Sequence, residues 1–316
     1  MKKRRYSALT VALIGLLAVS PVAAAAQADK SETLDALLMR VAPEVRENLY
    51  EDSSASRIAE AVTPATVPAT SDQPIKTHGE ATEVSIWLPG SAAVSVQSVA
   101  GESVRVFDHG NGASSVPLAK DDGSVQILTI IDAAGAPEKY GYALDVPDGA
   151  SLVLDEDGAV QIIGADGKFI GGVAPAWAVD AKGAAVPTRF EVAGATLTQV
   201  IDHRGGGFSY PIVADPWLGQ DLYYQPWITF SWQGYAVNVQ PTGWGVVWAG
   251  PALWWAHRDE VVTKLGSQWW RWTNTIQEQF YCHIFGLPLS LPIYNLESWR
   301  PFVGFAVSLV QYRCNP

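Results

Sequence analysis

Two cysteines, two methionines and five histidines are all that this chain of 316 residues offers to thiol, thioether or imidazole chemistry. No metal-type spacing of Cys and His is present, and so few histidines leave little material for a metal site. The His-Glu-x-x-His, Gly-x-Ser-x-Gly and glycine-rich phosphate-loop patterns are missing as well, so neither a cofactor nor a metal is expected. These absences narrow the chemistry without closing it, because catalytic triads are recognised by geometry rather than by sequence. Basic residues are also scarce: 21 Lys and Arg stand against 32 Asp and Glu, for a formal charge of −11. That balance argues against a nucleic-acid partner and against an electrostatic grip on anionic lipid or an acidic wall polymer.

Long apolar runs are confined to the N-terminus. Lys2, Lys3, Arg4 and Arg5 precede an apolar stretch from Ala8 to about Val22, and Ala26-Gln27-Ala28 then supplies the small-x-small pattern of a signal-peptidase site. Residues 1–28 therefore read as a signal peptide cleaved after Ala28. The run is too short to compete well as a membrane span, and no second stretch looks like one, so no stable span is expected after cleavage. In an exported chain the pair Cys282 and Cys314 is most simply a disulfide.

Residues 29–75 read as a leader. Leu34, Leu37, Leu38, Val41, Val45 and Leu49 fall at helical spacing with Pro43 interrupting them, and the Pro-, Thr- and Ala-rich stretch TPATVPATSDQP follows as a tether. This leader is a docking helix, a propeptide-like segment or a solvated arm. From 76 to 216 the pattern changes to short strands, with Asp-Gly at 122–123, 148–149, 157–158 and 166–167. The last three turns recur every nine residues, which is hairpin spacing and predicts a mainly β domain. The acidic run Asp155-Glu156-Asp157 lacks the ligand spacing of a calcium loop and reads as a turn.

Eleven of the thirteen tryptophans lie in residues 217–316. WITFSW and YAVNVQP read as paired strands, with GWGVVWA as a third. Helices are predicted from about Pro251 to Leu265 and from Thr275 to Phe285, and VGFAVSLVQY (303–312) as a final strand. The region thus reads as an α+β domain. On the first of these helices His257, Glu260 and Lys264 are expected on a solvated face, whereas His283 on the second shares a stripe with Ile276 and Phe280.

Gln279, Cys282-His283, Asn295-Leu296-Glu297, Arg300-Pro301 and Cys314-Asn315-Pro316 together resemble the signature of a C-terminal domain of unknown function in exported actinobacterial proteins. Tyr294 stands where that family usually has Trp. The segment ending in Tyr210-Pro211-Ile212-Val213-Ala214-Asp215-Pro216 resembles a β-rich leader that precedes unrelated domains in such proteins, which implies a junction at Asp215-Pro216. The resemblance implies an exported domain with a disulfide and a shared polar cluster, and no established activity.

Three functions are compatible with these residues. The first is a non-catalytic module for an envelope or extracellular ligand, plausibly glycan, with Gln279, Asn295, Trp299 and Trp244 as ligand-binding candidates, since a domain of about 100 residues cannot easily bury eleven indoles. Amides such as Gln233, Asn238 and Gln240 would assist. The second is a secreted hydrolase or effector in which Glu297 and His283 act as acid and base and Arg300 orients Glu297. In the third, the β domain is a leader released from a C-terminal effector.

Overall fold

The computed structural model describes residues 32–50, 63–79, 82–248, 254–286, 293–314 and 316. The signal peptide, its cleavage site at Ala28, part of the tether and Asn315 lie outside them. The fold is mostly β, with sheets forming the N-terminal region and most of the helices in the C-terminal part. Among the described residues no helix is long and apolar enough to cross a membrane.

The chain opens with α1 (Leu34–Val41), whose N-cap Thr33 accepts a hydrogen bond from the amide of Ala36 at 3.2 Å. Pro43 then converts the helix into a 3-10 turn, Pro43–Arg46. The apolar stripe is not solvated. Leu37, Leu38 and Val45 are buried against Val99, Val104, Val106, Val116, Leu118, Leu128, Ile130 and Val213 of the β region. Burying these three side chains is worth roughly 5–9 kcal/mol before the entropy of ordering the segment is subtracted. Polar contacts set the register: Asp35 accepts from Arg46 and from the amide of Ala100, both at 2.8 Å. The leader is therefore a docked helix. The described end of the tether is docked too, with Ala65 in the core and Thr66 bridging to Lys76.

Fifteen strands follow. They are β1 (Ile75–His78), β2 (Glu83–Ile86), β3 (Ala93–Val99), β4 (Glu102–Asp108), β5 (Ala113–Ala119), β6 (Val125–Ile131), β7 (Lys139–Asp145) and β8 (Ser151–Leu154), then β9 (Val160–Ile163), β10 (Phe169–Val173), β11 (Trp177–Val179), β12 (Thr188–Ala193), β13 (Thr196–Ile201), β14 (Ile212–Asp215) and β15 (Trp217–Gly219). A five-stranded sheet runs β1-β2-β7-β13-β12, and a larger one runs β3-β4-β5-β6-β15-β10-β9-β8, with β14 joining β11 to β6. The Asp-Gly turns at 122–123, 157–158 and 166–167 close the β5–β6, β8–β9 and β9–β10 hairpins, and Gly123, Gly158 and Gly167 take the positive φ that those turns demand.

Strand β6 explains the layering. All seven of its residues are buried, because Val125, Ile127 and Ile131 face the core shared with the five-stranded sheet while Leu128 and Ile130 face the core under α1. A strand covered on both faces reads as a near-continuous apolar run rather than an alternation, broken here by Gln126 and Thr129, which bond Asp215 and Tyr142. Both β14 and β15 pair antiparallel with β6, and the carbonyl of Pro216 between them accepts from the amide of Ile127 at 2.9 Å. Asp215-Pro216 is thus not a linker. The expected boundary at 216 falls inside the best-buried strand pairing, and residues 217–219 belong to the larger sheet.

The C-terminal region contains β16 (Trp227–Ser231), β17 (Gly234–Val239), α2 (Gly243–Trp248), α3 (Trp254–Lys264), a 3-10 turn Gly266–Arg271, α4 (Asn274–Gly286), β18 (Tyr294–Glu297) and α5 (Phe305–Tyr312). Strands β16, β17 and β18 form one antiparallel sheet. Two expected strands are helices. GWGVVW, the described part of GWGVVWA, forms α2, since the hydroxyl of Thr242 accepts from the amide of Gly245 and the carboxylate of Asp122 accepts from the amide of Trp244, both at 2.8 Å, leaving Trp244 and Trp248 on one buried face. Those indoles sit so close to the sheet that a Cβ on Gly219 would lie 2.4 Å from Trp244 and one on Gly172 would lie 2.5 Å from Trp248. Residues 305–312 form α5 because the buried carboxylate of Glu278 accepts from the amides of Val303 and Gly304 and so caps that helix from α4. The core of this region also takes in Ala159 and Ala174 of the β region.

Candidate functional site

The polar residues singled out in the sequence separate into two groups. Gln279 staples α4 to β18: its side-chain oxygen accepts from the amide of Glu297, and its nitrogen donates to the carbonyl of the same residue, both at 2.9 Å. The Glu297 carboxylate pairs with Arg300 at 2.5 Å, and Arg300 also donates to the carbonyl of Pro316 at 3.1 Å. Thr275 adds a bond from its hydroxyl to the carbonyl of Arg300. Gln279, Glu297 and Arg300 therefore meet as a clasp that closes the C-terminus onto α4. Gln279 is 1% exposed, with its amide spent inside the protein.

His283 is not part of this clasp. Its ring stacks on Tyr294, centroids 5.0 Å apart and planes 5° apart, and burial pushes its pKa down. It makes no hydrogen bond or ion pair with Glu297 among the described residues, so the expected acid–base couple is not assembled. The disulfide does form, with Cys282 and Cys314 5.3 Å apart at Cα. It ties α4 to the end of α5 rather than to a strand, and thereby draws the C-terminus to Arg300 instead of drawing His283 to Glu297.

The remaining candidates scatter. Trp244 is fully buried and unavailable to a ligand, a correction that follows from its packing on Gly219 and Phe169. Trp299 is half-buried beside Gly234. Asn295 is exposed on β18 opposite Asn238, whose own amide is spent on the carbonyl of Trp227 and the hydroxyl of Thr229.

On α3 the stripe expected to face solvent turns inward, along with the buried Val261 and Leu265. His257 is buried and hydrogen-bonded to the Tyr223 hydroxyl at 2.8 Å, while Glu260 accepts from the amides of Leu222 and Tyr223 and from Lys264. Burial and the nearby Asp221 push the Glu260 carboxyl up; Lys264 and the backbone amides pull it down. His257 is pushed down to about 4 by burial. The spacing of 257, 260 and 264 marks one stripe of a helix but carries no sign saying which side the core is on.

A second buried cluster lies where leader, sheet and C-terminal region meet. The Lys120 ammonium donates to the carbonyls of Val45 and Glu47 at 2.7 and 2.9 Å. The Asp215 carboxyl accepts from Gln126 at 2.6 Å, and Asp122 holds Ser124 as well as Trp244. Burial pushes Asp215 up to about 7 and Lys120 down to about 8. A cavity of about 470 Å³ opens beside these groups. Each of them is already bonded to protein, so the cluster acts as a junction.

The residues that are free to meet a ligand are aromatic. Around the turn that joins β16 to β17, Trp232 is 92% and Phe230 71% exposed, and on the 3-10 turn that precedes α4, Trp269 is 63% and Trp270 55% exposed. These two stretches are brought together by Arg271, whose guanidinium lies 4.1 Å from the ring of Trp270, 4.7 Å from Tyr235 and 5.0 Å from Phe230. The Tyr235 hydroxyl donates to the carbonyl of Arg271 at 3.0 Å, which locks the turn against β17. The tryptophans that the sequence points to, Trp244 and Trp299, are not the ones on this patch. The available signal was the doublet Trp269-Trp270 followed by a cation, on a short segment between two helices.

No protein-family model, curated protein or solved structure matches the chain.

Proposed function

We propose that this is an exported protein whose C-terminal region is a non-catalytic binding module, with an envelope or extracellular glycan as its ligand. The observation that carries the proposal is the aromatic patch of Phe230 and Trp270, held with Tyr235 around Arg271 and open to solvent, with Trp232 and Trp269 exposed on the same two turns. An exposed aromatic patch with polar edges suits the apolar faces of sugar rings, whose C–H groups stack on indole while their hydroxyls stay wet. The strong net negative charge suits a secreted protein kept apart from other polyanions. The residues that a hydrolase would need are engaged elsewhere, Glu297 in its clasp and His283 against Tyr294.

The test is calorimetry of purified protein against soluble oligosaccharides. Trp270→Ala and Trp232→Ala should each weaken binding about tenfold, which is about 1.4 kcal/mol, whereas Glu297→Gln should leave the affinity within twofold. Loss of turnover in Glu297→Gln, with binding intact in both tryptophan variants, would overturn the proposal in favour of an enzyme.

A further inference from the structure

An arginine in the centre of an aromatic patch needs a reason. Its faces are covered by rings at 4.1–5.0 Å, and at its edge Nε donates to Gln268 at 2.7 Å. No carboxylate lies within ion-pair reach of Arg271 among the described residues, although acids outnumber bases 32 to 21 along the chain. Arg271 is half-buried, and Phe230, Tyr235 and Trp270 surround its guanidinium. Such a group is held rigidly and keeps N–H donors on its edge. It is thus set to take a planar anion in two parallel hydrogen bonds, which a mobile surface lysine is not.

We infer that Arg271 makes the platform selective for a saccharide that carries one carboxylate beside the ring being stacked. This rests on the reading of the platform as a glycan site. The ring of the sugar would lie on Trp270 or Phe230 while its carboxylate meets the free edge of Arg271, so affinity and selectivity come from different groups. A polyanionic chain is disfavoured, because its further charges would meet the net negative protein with no cation to answer them. A neutral chain stacks but leaves the guanidinium edge to water. The shared ligand chemistry is a ring-borne carboxylate, whether of a uronic acid or of a lactyl ether on an amino sugar.

The experiment compares N,N′-diacetylchitobiose (chitobiose below) with the disaccharide N-acetylglucosaminyl-N-acetylmuramic acid, which differs from it by a lactyl ether, and with a glucuronosyl-N-acetylglucosamine disaccharide. Polygalacturonate serves as the polyanion. At least one acidic disaccharide should bind about ten- to a hundredfold tighter than chitobiose at low salt, and which one does so identifies the source of the carboxylate. Added salt should shrink the difference. Arg271→Gln should abolish the preference, so that this variant binds the acidic sugar no more tightly than it binds chitobiose, while Arg271→Lys should restore only part of the preference. Circular dichroism and Tm confirm that both variants fold. If chitobiose and the acidic sugars bind alike, or if Arg271→Gln preserves the preference, this inference falls while the platform survives. Tighter binding of polygalacturonate than of either disaccharide overturns the single-carboxylate form. If no sugar binds, or if Trp270→Ala changes neither affinity, the platform reading fails and takes the inference with it.

Discussion

Replacing Asp215 with Asn should change how the stability of this protein depends on pH. Asp215 is 2% exposed, bonded to Gln126 in the junction between β14 and β6, and burial moves its carboxyl from 3.8 to about 7. The folded state therefore holds this proton more tightly than the unfolded chain does. Its stabilising contribution is fully present below about pH 4 and is lost as pH rises through about 7. A displacement of about three units at 1.36 kcal/mol each amounts to about 4 kcal/mol between those limits. His257, pushed down to about 4, acts the opposite way: its contribution is present above about 6.5 and is lost as pH falls through about 4. Only a comparison with the variant isolates Asp215. Asp215→Asn should cost about 1–3 kcal/mol near pH 4.5, since the amide cannot accept at both of its ends. Between pH 4.5 and 7.5 it should lose about 3 kcal/mol less stability than the parent chain. Guanidinium denaturation at four pH values in that window reads the difference. Parallel curves for the two proteins would refute the claim that Asp215 is held protonated by burial.

Two further outcomes follow from the packing. Gly219→Ala would place a methyl 2.4 Å from the Trp244 ring, so it should cost about 1–3 kcal/mol by overpacking and perturb the near-ultraviolet signal of the tryptophans; an unchanged Tm would contradict the close approach of α2 to the sheet. Removing the disulfide with Cys282→Ala and Cys314→Ala should cost about 3–4 kcal/mol for a crosslink spanning 32 residues, with the loss read as a lower denaturation midpoint.

Much of the β region was legible because turn chemistry is local. The hairpins at 122–123, 157–158 and 166–167 are where Asp-Gly pairs put them, whereas the Asp148-Gly149 turn closes no hairpin and passes the chain from β7 in one sheet to β8 in the other. The stripe of α1 and the pair of cysteines were readable on local grounds too: spacing in one case, an even count in a chain with a signal-peptide-like N-terminus in the other. The helix at 305–312 was not, because its β-branched residues favour a strand and its cap, Glu278, comes from another helix.

The candidate site divides along the same line. Sequence alone concentrated the indoles in residues 217–316 and placed Glu297 three positions from Arg300. Only the tertiary structure decided that Trp244 is core while Trp232 is open, that Glu260 and Lys264 face inward, and that the disulfide brings Pro316 rather than His283 to the Glu297–Arg300 pair. The physical reason is that periodicity defines a face without saying what that face meets. Which side is wet depends on a partner distant in sequence, as Arg271 depends on Phe230 and Tyr235 across the turn.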